Sequence, residues 1–461
     1  MGSNQYDLIV IGSGPAGQKG AIAAAKLGKR VAVIDRKDSI GGVSLHSGTI
    51  PSKTLREAIL YLTGFRQRAF YGMEYSLKDK IDKDDLSFRV RLVIEREMDV
   101  VKHQFKRNDV EVHFGTARFL DPRTVEVQSE DGVVSITGEH ILIACGTRAA
   151  RDPLIPFDGQ KIVDADDLRY VAGIPKNMIV VGAGVIGLEY ASMFAALHIS
   201  TTIVEQRPTI LDFVDQEIVE QLRYHMRNLG AIFRLGEKVV SVAKDNQGRV
   251  VAGLESGKTV TGDGLLYAVG RQTNADLLNL SAAGITTDQR GKIAVNENFQ
   301  TSVPHIYAAG DVIGFPALAA TSMEQGRLAA CHAFGVPAKH SPELIPYGIY
   351  AIPEISMIGK TEEQLTAAKT PYEFGLAKYE ELARGQILGD QTGRLKILFD
   401  PKTLLVLGVH IIGEGATELI HIGQAVMSLG GTIEYFRDHV FNYPTLAEAY
   451  KVAALHGLNK I

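Results

Sequence analysis

Tyr6-Asp7-Leu8-Ile9-Val10-Ile11-Gly12-Ser13-Gly14-Pro15-Ala16-Gly17 is the stretch that decides the fold. The apolar run Leu8–Ile11 reads as a strand of a parallel sheet, buried on both faces. The loop that follows, Gly12, Gly14, Pro15, Ala16 and Gly17 with Ser13 between the first two glycines, has the spacing of a dinucleotide-binding turn. The first glycine permits the tight turn, the second lets backbone approach a pyrophosphate, and the third lets the next helix pack close to the strand. An alanine-rich helix runs to about Gly28, and a second strand, Arg30–Ile34, ends at Asp35.

The same unit recurs. Met178–Val181 is its strand, Gly182-Ala183-Gly184-Val185-Ile186-Gly187 its loop, Leu188–Leu197 its helix and Ser200–Val204 its second strand, ending at Glu205. Asp35 lies 23 residues after Gly12, and Glu205 lies 23 after Gly182. An acid at that place accepts a hydrogen bond from a ribose hydroxyl, while the helix N-terminus offers amide donors and a favourable dipole to phosphate. One such glycine pattern is weak, but two with strand, helix and acid in register imply two bound dinucleotides. The fold expected is α/β, with two Rossmann-like dinucleotide-binding domains. After about Pro346 the pattern changes: Leu395–Phe399, Leu404–Gly408 and Val409–Ile412 read as strands, and Ala416–Leu429 and Leu446–Leu458 as helices. This is an α+β tail rather than a third nucleotide unit.

Composition sets the remaining bounds. The 461 residues, 45% hydrophobic and 22% charged, suffice for two or three domains. A net charge of -4 spread over the chain offers nothing to a nucleic-acid backbone or an anionic membrane, so neither is an expected partner. No apolar run approaches the ~18 residues needed to span a bilayer. The two cysteines, Cys145 and Cys331, lack disulfide or metal spacing and read as small buried hydrophobes. No metal site is expected, and a reducing cytoplasm suits the chain.

The segment Gly41-Gly42-Val43-Ser44-Leu45-His46-Ser47-Gly48-Thr49-Ile50-Pro51-Ser52-Lys53 resembles the active-site helix of flavin disulfide reductases, which reads Gly-Gly-x-Cys-x-x-x-x-Cys-x-Pro-x-Lys. From Tyr6 to Asn459 the chain resembles the pyridine nucleotide–disulfide oxidoreductase family. Within it, Gly48–Lys53, Gly184–Gly187, Phe315–Ala320 and Phe441–Thr445 resemble the soluble, flavin-dependent pyridine nucleotide transhydrogenases of actinobacterial type.

That resemblance implies FAD at the first loop and NAD(H) or NADP(H) at the second. It implies an FAD domain of residues 1–150 and 273–345, an NAD(P) domain of 151–272 and a dimerisation domain of 346–461, with a homodimer or larger homo-oligomer as the working form. It places Gly42, the turn at Gly146, Gly270, Asp311 at the end of His305–Gly310, and Ala319 at the start of a helix, against the cofactors. It places Lys53 beside the flavin N5, paired with Glu189 as the catalytic couple. His46 lies near the flavin by the same resemblance, whereas His421, on an apolar helix, reads as structural.

Two departures from the family pattern point to the chemistry. Both sulfur positions are hydroxyls, Ser44 and Thr49, which cannot form a disulfide. The family's His-Pro pair, which serves thiols as an acid–base, is here Tyr443-Pro444, with Glu448 kept; a tyrosine with a reference pKa near ~10 is a poor base at neutral pH. The expectation is a soluble NAD(P) transhydrogenase, moving hydride reversibly from NADPH to NAD through FAD N5 by a ping-pong route without a redox disulfide. Glu205 would favour the free ribose of NAD and Arg207 the 2′-phosphate of NADP. The rival expectations are an NAD(P)H:quinone reductase and, more distantly, a non-catalytic NAD(P)-sensing flavoprotein.

Overall fold

The computed structural model describes residues 4–36, 38–78, 80–167, 173–338 and 344–461. Its chain divides into two compact units, one of Met1–Thr54, Ser87–Ala150 and Gly270–His340, the other of Leu55–Leu86, Arg151–Val269 and Ser341–Ile461.

The first unit is built on a seven-stranded sheet. Strand Gln5–Ile11 lies at its centre, parallel to Val31–Asp35 on one side and to Gly132–Ile143 on the other. Glu111–Phe114 extends the parallel part, and Ile306–Ala308 returns to pair in parallel with Ile141–Ile143. Thr124–Ser129 and Thr116–Phe119 complete the sheet antiparallel. Leu8, Ile9 and Val10 are fully buried, as an apolar run covered on both faces requires. Helix Pro15–Lys26 packs across helix Ala319–Ala333 at very short range. A Cβ added to Gly326 would run into the Ala16 carbonyl, and one added to Gly20 would stand 3.1 Å from the Gly326 carbonyl oxygen. Small residues at the crossing let the two backbones touch and bring the late segment beside the first glycine loop.

The second unit repeats the motif. Strand Asn177–Val181 is parallel to Ser200–Glu205 and to Gly264–Tyr267, with Ile232–Leu235 and Ile162–Asp164 at the edges. The same unit holds an antiparallel sheet of five strands in the order Tyr347–Ile349, Ile355–Gly359, Val406–Ile412, Arg394–Phe399, Glu373–Lys378, covered by helices Ala416–Ser428 and Glu448–Leu458. One hydrophobic core joins the two sheets: Ile349, Ala351, Ile352, Ile355 and Ile412 pack with Val180, Leu188, Ala191 and Ile203.

Three sequence expectations need correction. The second motif's helix begins at Val185, inside the loop, because Gly184 already takes the extended N-cap conformation (φ −74°, ψ −176°). The strands expected at 404–408 and 409–412 are one strand, Val406–Ile412, since Gly408 lies flat against the Lys360 carbonyl rather than making a turn. Cys145 and Cys331 are each only half-buried, although Cys145 packs on the core of the first unit and its burial pushes the thiol up to about 12.

Candidate functional site: two glycine-loop cradles

The two loops repeat each other at the level of single hydrogen bonds. Gly12 N–H donates to Ile34 O at 2.8 Å, and Gly182 N–H donates to Val204 O at 2.8 Å. Both first glycines have positive φ, +107° and +98°, which a side chain would resist. In each copy the acid at the end of the second strand clamps the residue between the first two glycines. Asp35 Oδ2 accepts from Ser13 N–H at 2.9 Å and from the Ser13 hydroxyl, while Glu205 Oε2 accepts from Ala183 N–H at 2.8 Å. The third glycines, Gly17 and Gly187, face the carbonyls of Gly12 and Gly182 so closely that a Cβ at either would overlap the oxygen.

The second glycines are the opposite case. A Cβ added at Gly14 or at Gly184 would meet nothing within 4 Å among the described residues. Each residue is the N-cap of its helix, neither helix has a side-chain cap, and neither has an acid in its first turn. The amides that a capping side chain would otherwise satisfy therefore face open space, as an anion-binding helix terminus requires. Both loops fit a dinucleotide pyrophosphate on this ground.

Around the first loop the structure gathers several of the residues expected there. Ser13 Oγ accepts from Gly41 N–H at 2.8 Å, and a Cβ at Gly42 would stand 2.8 Å from Gly14 Cα. Asp311 follows strand Ile306–Ala308, and its Oδ2 accepts from the Thr147 hydroxyl at 3.2 Å, next to Gly146. Arg271 Nε donates to Thr147 Oγ1 at 2.8 Å, and Gly270 O accepts from Ala150 N–H at 3.2 Å. Ala319 opens its helix, with Leu318 as N-cap. Arg271 escaped the sequence reading, whereas Ser13 and Thr147 lie inside the loop and the glycine turn expected from sequence, with no role assigned to either there.

Ser44 stands on a short helix, Gly42–His46, and Thr49 at the start of a longer one, Thr49–Leu62, with a break at Ser47–Gly48. Ser44 Oγ donates to Gly41 O at 3.3 Å, which ties the hydroxyl back to its own turn. Lys53 is half-buried, and its Nζ donates to Ser52 Oγ at 3.3 Å. His46 is buried with Nε2 at 2.8 Å from Ile40 O.

In the second unit Glu189 is 3% exposed, and its Oε1 accepts from Tyr350 N–H at 2.9 Å. Burial opposes the charge of Glu205, but the N–H groups of Ala183 and Arg207 and the Arg207 guanidinium outweigh it and hold the carboxyl below its ordinary range. Arg207 Nε donates to Glu205 Oε1 at 3.2 Å. In the tail, Tyr443 is 72% exposed, and the buried Oε2 of Glu448 accepts no hydrogen bond among the described residues. His421 is exposed, against the structural role expected of it, and its Nδ1 lies 2.8 Å from Gln424 Oε1. Among the described residues no helix is long and apolar enough to cross a membrane.

A fold with two such cradles in one chain defines a two-dinucleotide flavoprotein, and the chain belongs to the pyridine nucleotide-disulphide oxidoreductase family. The model of that family matches residues 6–326, and that of its dimerisation domain matches residues 345–454. With that membership go FAD as the cofactor and oxidoreductase as the class of chemistry. The chain is 54% identical to a soluble pyridine nucleotide transhydrogenase of Mycobacterium bovis over 99% of its own length and 98% of the relative's. It is 45% identical to a protein of the same name from Serratia proteamaculans, over 99% of each. Among solved structures it resembles the HOCl-induced flavoprotein disulfide reductase RclA of Escherichia coli, with a TM-score of 0.87 and 27% identity over 98% of this chain and 99% of that one.

Proposed function

We propose that this chain is an FAD-dependent NAD(P) transhydrogenase that moves hydride reversibly between NADPH and NAD without a redox disulfide. The observation that carries the proposal is the pair of hydroxyls at Ser44 and Thr49 in a frame that is otherwise complete, with Ser44 bonded to its own turn and Tyr443 in the place of the family's histidine base. The names of the relatives support the same reading. FAD, when bound, supplies the N5 position that takes and returns hydride.

The chain's own residues then do the rest. With FAD bound, the N–H groups of Gly14, Ala16 and Gly17 would hold its pyrophosphate, Asp311 would accept from the ribitol chain, and the glycine turn at Gly146 would close over the adenosine half. The amides at Gly184–Gly187 receive NADPH and NAD in turn, which makes the kinetics ping-pong. Lys53 and Glu189 would be the catalytic residues, with Lys53 setting a positive charge beside the flavin. Residues 1–150 and 273–345 form the FAD part, 151–272 the NAD(P) part and 346–461 the dimer face, in a homodimer of the cytoplasm.

The test mixes the FAD-loaded protein with NADPH and thio-NAD, a spectrally distinct acceptor, without quinone. Reduction of thio-NAD is expected. Absence of transfer together with fast quinone reduction would make the chain a quinone reductase, and lipoamide turnover would overturn the argument from the missing thiols.

A further inference from the structure

Arg207 is held from two sides by two unlike carboxylates. Its Nε donates to Glu205 Oε1 at 3.2 Å, and its Nη1 reaches Asp212 Oδ2 at 3.5 Å. The Glu205 side chain is 7% exposed, and two backbone N–H groups, those of Ala183 and Arg207, fasten it in place. The Asp212 side chain is 62% exposed, and the long contact to Arg207 is the only ion pair recorded for it among the described residues. An exposed pair of this kind is weak and opens readily, whereas the Glu205 contact is part of the loop itself. The guanidinium therefore has a fixed edge on Glu205 and an exchangeable edge on Asp212.

We propose that Asp212 sets the balance between the two coenzymes by holding the exchangeable edge of Arg207 and competing for it with the 2′-phosphate of NADP(H). This rests on the reading of Glu205 and Arg207 as the ribose end of the coenzyme site. A free 2′-hydroxyl leaves the Arg207–Asp212 pair in place and bonds to Glu205. A 2′-phosphate, with a charge of about −1.5 to −2, must displace Asp212 from the guanidinium and then lie next to its carboxylate. Both effects penalise NADPH and leave NADH untouched, so one surface carboxylate sets the ratio of the two affinities. Asp212 donates no hydrogen bond to either coenzyme; it acts through its hold on Arg207 and through its like charge toward the 2′-phosphate.

The test uses the full-length, FAD-loaded protein and follows anaerobic reduction of its flavin by NADPH and by NADH, taking an apparent Kd and a limiting rate for each. Asp212→Asn is expected to lower the Kd for NADPH relative to NADH by roughly threefold to tenfold, from the size of a water-screened like-charge contact. The limiting rates should change by less than about twofold, and Asp212→Glu should keep the original ratio. Arg207→Ala is expected to raise the Kd for NADPH at least about tenfold relative to NADH. If Arg207→Ala weakens both coenzymes equally, the reading of Glu205 and Arg207 falls and the proposal with it. If Arg207→Ala discriminates but Asp212→Asn leaves the ratio unchanged, or shifts both coenzymes together, the role of Asp212 alone is overturned.

Discussion

Gly184→Ala should separate folding from function, because the structure gives the two effects very different sizes. Gly184 has φ −74° and ψ −176°, a conformation that alanine adopts without strain, and its Cβ would meet no atom of the described residues within 4 Å. Replacing an N-cap glycine by alanine costs several tenths of a kcal/mol, and the reduced freedom of the unfolded chain returns about 0.4–1 kcal/mol. The net change in stability is therefore within about 0.5 kcal/mol, or roughly 2 °C in Tm for a unit of this size. The added methyl occupies the space into which the amides of residues 184–187 point. Each charge-assisted hydrogen bond to phosphate lost there is worth roughly 1.5–3 kcal/mol, so binding of NADPH and NADH should weaken by about tenfold to a hundredfold. Gly187→Ala is the control of opposite kind: its Cβ overlaps the Gly182 carbonyl oxygen, and overpacking against backbone should cost about 1–3 kcal/mol or more. Circular dichroism melts give the first quantity, and coenzyme titration of the FAD-loaded protein gives the second. A Gly184→Ala protein that melts more than about 5 °C lower, or that binds NADPH as the parent does, would refute the assignment of this cradle.

Three further outcomes follow from other parts of the molecule. Lys396 has a fully buried side chain facing Asp215 at 3.1 Å, Glu217 at 3.0 Å and Glu362 at 2.5 Å, so Lys396→Met strips the buried Asp215 of its cation, with Glu217 keeping Arg394 at 3.6 Å, and should cost about 3–5 kcal/mol in urea unfolding. Glu205 has a depressed carboxyl, so its contribution is complete above the unfolded value near ~4.3 and is lost as pH falls through the lower folded value. Accordingly the stability of Glu205→Gln, measured by urea titration, should fall less steeply than the parent's from about pH 5 to pH 3. The pair Ser44→Cys and Thr49→Cys should gain no appreciable lipoamide or glutathione-disulfide reductase activity, because Tyr443 still stands where the thiol base is needed, and efficient turnover in a coupled NADH assay would contradict that view of the tail.

The parts of this fold that were legible from sequence are those in which one residue type answers one steric demand. Gly12, Gly17, Gly182 and Gly187 each stand where a Cβ meets a carbonyl, so their spacing carries both motifs and the acids Asp35 and Glu205 follow in register. Strands Tyr347–Ile349 and Ile355–Gly359 were not foreseen, because three- and five-residue strands beside Pro346 and Pro353 leave too short a pattern. Lys396 interrupts the apolar run Leu395–Phe399, and nothing local shows that its charge is met by Asp215, 181 positions earlier. The acceptor role of Glu189 toward Tyr350 N–H spans 161 positions and belongs to tertiary packing alone. The hydroxyls at Ser44 and Thr49 could be read directly, because a missing functional group needs no coordinates to be noticed.

The central claim is that hydride passes between two nicotinamides with no thiol taking part, and the chain offers a direct measurement because it holds only two cysteines, Cys145 and Cys331. The Cys145→Ser, Cys331→Ser double variant, loaded with FAD and given NADPH and thio-NAD, should reduce thio-NAD at a rate within about threefold of the parent, since Cys145 is a core-packed group whose thiol is pushed up to about 12 and is not ionised at neutral pH. Loss of transfer in a double variant that still binds FAD and melts as the parent does would contradict the account.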